Sequence, residues 1–254
     1  MIEHKPFAVI FTVGLALVTS GAQPAAAAEL NPAARYHQCL ALAETLPKEA
    51  FEDAIAWRDE AGGPPAEHCA ATALINLGLY QDAAKRLEDL AQRMKGRPGF
   101  KARIFGQAAQ AWLLADNPNR AEAVATAALQ LQPGDIEFYI DRAQARAALG
   151  DYPKAVSDLD AALAINAGRP DALALRAAAK RFLKDMAGAL ADAEQALMVS
   201  PGHAEALLER GNLRRLKDDK AGARADWLEV LIVAPDSPAA TAARANLERM
   251  DVRK

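Results

Sequence analysis

From Asn31 onward, apolar residues recur at helical spacing within short segments set apart by turn residues. Leu149 closes one such segment, and Ala155, Leu159, Ala162 and Leu163 mark one face of the next. The breaks fall at Leu46-Pro47, Gly62 to Pro65, Gly78, Gly96 to Gly99, Asn117-Pro118 and Pro133-Gly134. They continue at Gly150-Asp151, Gly168 to Pro170, Lys184-Asp185, Pro201-Gly202, Asp218-Asp219 and Pro235-Asp236. Glycine frees the backbone and proline removes a donor, so both end helices. Segments of roughly 12–16 residues lie between them, an ordinary helix length. No alternating β-branched run of any length occurs, so the pattern predicts an all-α chain.

The segments repeat. Ala102, Ile136, Pro170 and Ala204 stand 34 residues apart. With these as position 1, position 8 is small (Ala109, Ala143, Ala177, Gly211) and position 20 is always alanine (Ala121, Ala155, Ala189, Ala223). Position 27 carries Ala128, Ala162 and Ala196, then Val230, and prolines stand at position 32 in Pro133, Pro201 and Pro235. A period of this size marks stacked supersecondary units, each burying its apolar face against the next. Tyr80 to Ala84 has the shape of Tyr152 to Val156, which extends the register back to a unit starting near Pro64. That unit is four residues longer around Gly96 to Gly99, read here as a surface loop insertion. A weaker unit precedes it, with Ala50 and Ala54 at matching small positions. Pro238 to Met250 forms one more amphipathic segment, with Leu247 and Met250 facing inward as an end cap.

These positions resemble the tetratricopeptide repeat family. Phe105, Tyr139, Leu173 and Leu207 fill its large position 4, and Trp112 its aromatic position 11. Position 11 is otherwise basic, as Arg146, Lys180 and Arg214, which departs from the pattern. The resemblance implies a right-handed α-solenoid of about six helix-turn-helix repeats plus a C-terminal capping helix. Its expected divisions are a hairpin over 29–63, repeats over 64–101, 102–135, 136–169, 170–203 and 204–237, and a cap and tail over 238–254.

Ahead of the repeats, residues 1–28 read as a secretory signal. Lys5 precedes an apolar run from Phe7 to Val18 that is short for a bilayer span, and Ala26 and Ala28 fit cleavage before Glu29. An uncleaved anchor is the alternative. No cysteine lies near the cleavage site, which disfavours an acylated lipoprotein. The expected mature protein is periplasmic, with no stable membrane insertion. A formal net charge of −3 supplies no basic field, which argues against nucleic acid or anionic lipid as a partner.

Cys39 and Cys69 are the only cysteines. An even count in an exported chain suggests a disulfide, and in the resembled fold both would lie on neighbouring first helices. Unpaired buried thiols, or a zinc site with His37 and His68, are the alternatives. The zinc reading is weakened because His37 and Cys39 would point about 200° apart on a helix, and His68 and Cys69 about 100°. No metal or other cofactor is expected.

Catalytic chemistry finds no support. Of four histidines, His4 leaves with the signal and His203 stands at a helix start; none forms a nucleophile–base grouping. Asp158, Asp160, Asp218 and Asp219 read as solvated charges on helix faces or turns. The chain is expected not to be an enzyme.

The resemblance also implies a concave groove lined by the first helices. Residue by residue, the lining positions hold Arg103, Gln107 and Gln110, then Glu137, Asp141 and Gln144. Asp171 and Arg181 follow, with Glu205, Glu209, Asn212 and Arg215 in the last repeat. Some family members clamp a peptide's terminal carboxylate with a lysine at position 5; here that position holds Gly106, Ile140, Ala174 and Leu208, so the clamp is absent. The expected function is an exported scaffold that binds a peptide or protein segment in this groove, the alternative being a structural subunit of an envelope export or assembly complex.

Overall fold

The computed structural model describes residues 31–252, so the signal segment read over 1–28 lies outside the described residues. Thirteen α-helices follow one another, with one π turn at Arg58–Gly62 between the second and third. They are α1 (Pro32–Thr45), α2 (Pro47–Trp57), α3 (Gly63–Asn76), α4 (Tyr80–Arg93), α5 (Pro98–Leu114), α6 (Pro118–Leu131) and α7 (Ile136–Ala148). Then come α8 (Tyr152–Ile165), α9 (Pro170–Phe182), α10 (Met186–Val199), α11 (Ala204–Leu216), α12 (Lys220–Val233) and α13 (Pro238–Val252). Each odd helix packs against the even helix after it, giving six hairpins stacked as a right-handed α-solenoid and closed by α13. Among the described residues no helix is long and apolar enough to cross a membrane.

The period has a geometric cause. Every residue at positions 8, 20 and 27 of the four strict repeats is buried, because the helices of a hairpin and its neighbour cross there. A small side chain lets the backbones approach closely. Position 24 varies, and position 8 answers it. Where Trp227 fills position 24, position 8 is Gly211, on which a Cβ would stand 2.6 Å from the Trp227 ring nitrogen.

The turn inside each hairpin after the first is built from two adjacent residues. Position 15 is left-handed throughout, in Gly78, Asp116, Gly150, Lys184 and Asp218, with φ between 54° and 80°. The next amide closes back on the helix, as in Asn117 N to the Trp112 carbonyl at 2.9 Å and Asp151 N to the Arg146 carbonyl at 2.9 Å. That same residue then caps the following helix. The side chains of Asn117, Asp151, Asp185 and Asp219 accept from the amides of Arg120, Lys154, Gly188 and Gly222.

Three expectations need revision or are decided. The four extra residues before Ala102 are not loop: α5 starts at Pro98, so most of them lengthen that helix by a turn. Proline is favoured at a helix start, where its missing N–H would lack a partner anyway, so a residue read as a break begins the helix. Secondly, Asp158 is not a solvated charge. It is 3% exposed and receives Arg142 through Nη2 at 2.7 Å and Nε at 3.0 Å, and Arg146 through Nη1 at 2.8 Å. The arrangement recurs with Arg176, Lys180 and Asp192, and with Arg210, Arg214 and Asp226. It explains the basic position 11: with an arginine at position 7, it neutralises a buried aspartate at position 23. In the 102–135 repeat the same three places are Ala108, Trp112 and Val124, an apolar solution to the same packing problem. Thirdly, Cys39 and Cys69 form a disulfide with Cα atoms 6.1 Å apart, joining α1 to α3. The sulfurs are therefore spent, and no group of three or more possible metal ligands occurs among the described residues.

Candidate protein-binding groove

The odd helices form the inner layer. α1 touches α3, α5 touches α7, and α7, α9, α11 and α13 follow in contact. In a curved stack, the layer whose members touch is the concave one. The groove is therefore lined by side chains on the open face of these helices.

A string of polar contacts runs along it. The Tyr36 hydroxyl lies 2.8 Å from His68 Nδ1, and His68 Nε2 lies 2.6 Å from Gln107 Oε1. Burial lowers the His68 pKa, and the two contacts fit a neutral ring that accepts at Nδ1 and donates from Nε2. His68 thus bridges α1, α3 and α5. Farther along, Arg169 donates to Glu137 at 2.6 Å and to Asp171 at 2.7 Å, tying α7 to α9. Arg181 donates to Glu209 across α9 and α11, and its guanidinium lies 4.5 Å from the Phe182 ring centre. Asn212 Nδ2 donates to Glu209 at 3.4 Å, and Asn246 Nδ2 donates to Asn212 Oδ1 at 2.8 Å. Asn212 and Asn246 stand 34 residues apart, so α13 continues the repeat register as well as capping the stack.

The structure brings Arg103, Gln107, Gln110, Glu137 and Asp141 together around one open cleft of about 220 Å³ between α5 and α7. Phe138 and Gly106 form its apolar wall. A Cβ on Gly106 would meet the Phe138 ring at 2.5 Å, so glycine there lets the ring approach α5 closely. Asp141 sits in this cleft at 5% exposure. Gln110 Nε2 donates to its Oδ1 at 3.4 Å, while Oδ2 is buried without a partner among the described residues. Burial, with Glu137 and Asp135 nearby, pushes its pKa up from 3.8 to about 7.

The remaining groove candidates are dispersed. Gln144 and Glu205 are exposed on the open face of α7 and α11. Arg215 is not part of this string; it lines a basic cleft beside the last hairpin with Lys220, Arg224 and Arg249. His68, Tyr36, Arg169 and Asn246 were not among the groove positions carried over from the family. Asn246 could have been found by extending the 34-residue register one helix further. Arg169 could not, because it lies in the loop between repeats.

A sequence profile described as the tetratricopeptide repeat matches residues 109–180. No curated protein sequence matches the chain. Among solved structures, the chain is similar to TTC0263, described as a thermophilic TPR protein in Thermus thermophilus, at 19% identity and a TM-score of 0.60 over 73% of this chain and 99% of that one. It is also similar to residues 41 to the end of MamA from Desulfovibrio magneticus RS-1, at 17% identity and a TM-score of 0.57 over 69% and 97% of the two chains. A MamA RS-1 double mutant gives 18% identity and a TM-score of 0.57 over 67% and 93%. At these identities the likeness is one of fold. Taken with the strict 34-residue register and the hairpins it builds, the profile match identifies residues 109–180 as tetratricopeptide repeats and supports a solenoid of that kind over the described residues.

Proposed function

We propose that this protein is an exported scaffold whose groove, on the open face of the odd helices, binds a peptide or a segment of another protein. The observation that carries this reading is the cleft between α5 and α7, where a buried carboxylate oxygen has no partner among the described residues. Buried polar atoms are almost always satisfied in folded proteins. Asp141 lines the cleft, so a partner group that parts the lining onto this oxygen would satisfy it. Export is supported by Cys39–Cys69, since disulfides persist in oxidising compartments and rarely in the cytosol. N-terminal sequencing of the mature chain tests it, with Glu29 expected first.

A second reading is that of a structural subunit in a larger envelope assembly. It is favoured by apolar side chains left bare on the even helices, among them Met198 at 78% and Ile232 at 72% exposure. Photo-crosslinking residues introduced at Gln144, in the groove, and at Met198, on the outer layer, separate the two in the native compartment. The scaffold reading expects a defined adduct from Gln144 and none from Met198. The reverse pattern would establish the subunit reading instead.

A further inference from the structure

Six acidic side chains are buried among the described residues: Glu88, Asp141, Asp158, Asp192, Glu209 and Asp226. Five have a cation from the same chain within 4 Å. Glu88 has Arg120 at 3.6 Å, Glu209 has Arg181, and the three position 23 aspartates have two cations each. Asp141 has none among the described residues. A buried, uncompensated carboxylate is costly, and proteins normally pair it.

The repeat register shows what is missing. Asp141 and Glu209 both occupy position 6 of their repeats. Glu209 is neutralised by position 12 of the repeat before it, Arg181, which lies 28 residues earlier. The residue 28 before Asp141 is Leu113. In the repeat between them, positions 12 and 6 are Ala147 and Leu175, and no charge needs matching. The register position from which Arg181 reaches Glu209 is therefore apolar at Asp141, and the described residues supply no cation there.

We infer that the cleft between α5 and α7 takes a lysine side chain of the bound partner, its ammonium reaching Asp141 Oδ2 as the lining side chains part and its methylene stem along Phe138 and Gly106. This rests on the groove reading above and gives the groove its ligand chemistry. Lysine fits better than arginine because Oδ1 already accepts from Gln110, so a bidentate guanidinium would have to displace that amide. An ammonium needs one oxygen. The surrounding field suits a cation: Asp135, Glu137 and Asp141 face the cleft against the single charge of Arg103, whose guanidinium lies 5.5 Å from the centre of the Phe100 ring. Glu137 is partly neutralised by Arg169 and Asp135 caps α7, which leaves Asp141 as the acceptor with free capacity.

The test uses the full mature chain and two blocked pentapeptides, alanine-flanked, with lysine or the isosteric apolar norleucine at the centre. The readouts are the side-chain carboxyl carbon of Asp141 and the amides of Gly106 and Gln144, followed by NMR. At roughly 10 mM peptide, a site of millimolar affinity is about nine-tenths filled. The lysine peptide should shift the Asp141 carboxyl and hold it ionised at lower pH, and should bind at least about tenfold more tightly than its norleucine twin. Asp141→Asn should remove that preference. Leu113→Arg, which recreates the Arg181–Glu209 pair at the Asp141 place in the register, should remove it as well while helicity is retained. An Asp141 carboxyl unmoved by the lysine peptide, or equal binding of both peptides, overturns the lysine site. Equal binding that still moves the Gly106 and Gln144 amides leaves the groove reading standing without it. A lysine preference at Asp141 with no adduct from Gln144 sinks the groove reading alone.

Discussion

Asp141→Asn should stabilise the free protein, and by an amount that depends on pH. The carboxyl titrates near 3.8 in an unfolded chain and at about 7 in the folded one, because burial penalises the ionised form and Glu137 and Asp135 add to the penalty. Between those values the folded state keeps a proton that the unfolded state has released. Stability from this group is thus fully present below about pH 4, declines as pH rises, and is lost once pH passes about 7. A shift of some three units corresponds to about 4 kcal/mol, an upper figure because water can enter the open cleft. Asparagine keeps an oxygen for Gln110 and never ionises. Urea unfolding of parent and variant at several pH values, with unchanged m-values, measures the difference. The two should be nearly equal near pH 4, with the variant ahead by a few kcal/mol near pH 8. A gap that is flat with pH, or that widens toward acid, would refute the reasoning. Other carboxylates titrate in both proteins and cancel in the comparison.

The buried triads behave oppositely. Asp158→Val alone should cost about 3–5 kcal/mol by stranding two arginines, whereas adding Arg142→Ala and Arg146→Trp, copied from Ala108 and Trp112, should recover most of it in the same urea assay. Lys184 is exposed and left-handed at a position where two of the other repeats have glycine. Lys184→Gly should therefore gain roughly 0.5–1 kcal/mol, and Gly150→Ala should lose about as much. Cys69→Ser should cost about 3–4 kcal/mol in the chain-entropy account, concentrated at the N-terminal end. Hydrogen exchange should show protection falling in α1 to α3 with α7 to α12 unchanged, because stacked repeats couple only to neighbours.

How far the fold was readable follows from where each signal originates. Small residues at positions 8, 20 and 27 are required wherever two helices cross, so they recur without regard to the rest of the repeat. Asn117, Asp151, Asp185 and Asp219 both end a turn and start a helix, so they mark boundaries locally. The triads were not readable in this way. An aspartate at position 23 has the same helical spacing whether it faces water or two guanidiniums, and its partners lie 12 and 16 residues away on another helix. Pro98 misled for a related reason: proline is a break inside a helix and a beginning at its first turn, and only the neighbouring packing decides which.

The groove shows the same division at finer scale. Family positions named Asp141 and Glu209 alike as lining residues, and both do lie on the inner layer. Their difference resides at position 12 of the preceding repeat, Leu113 in one case and Arg181 in the other. Glu209 is thereby turned into an internal brace between α9 and α11, with Asn212 attached to it. Asp141 is left with an oxygen that nothing in the described chain satisfies. A repeat array can strip a buried acid of its internal partner by one substitution 28 residues away, leaving the acid itself untouched. In such arrays the candidate sites are best sought where the register calls for a pair and the chain supplies only one member.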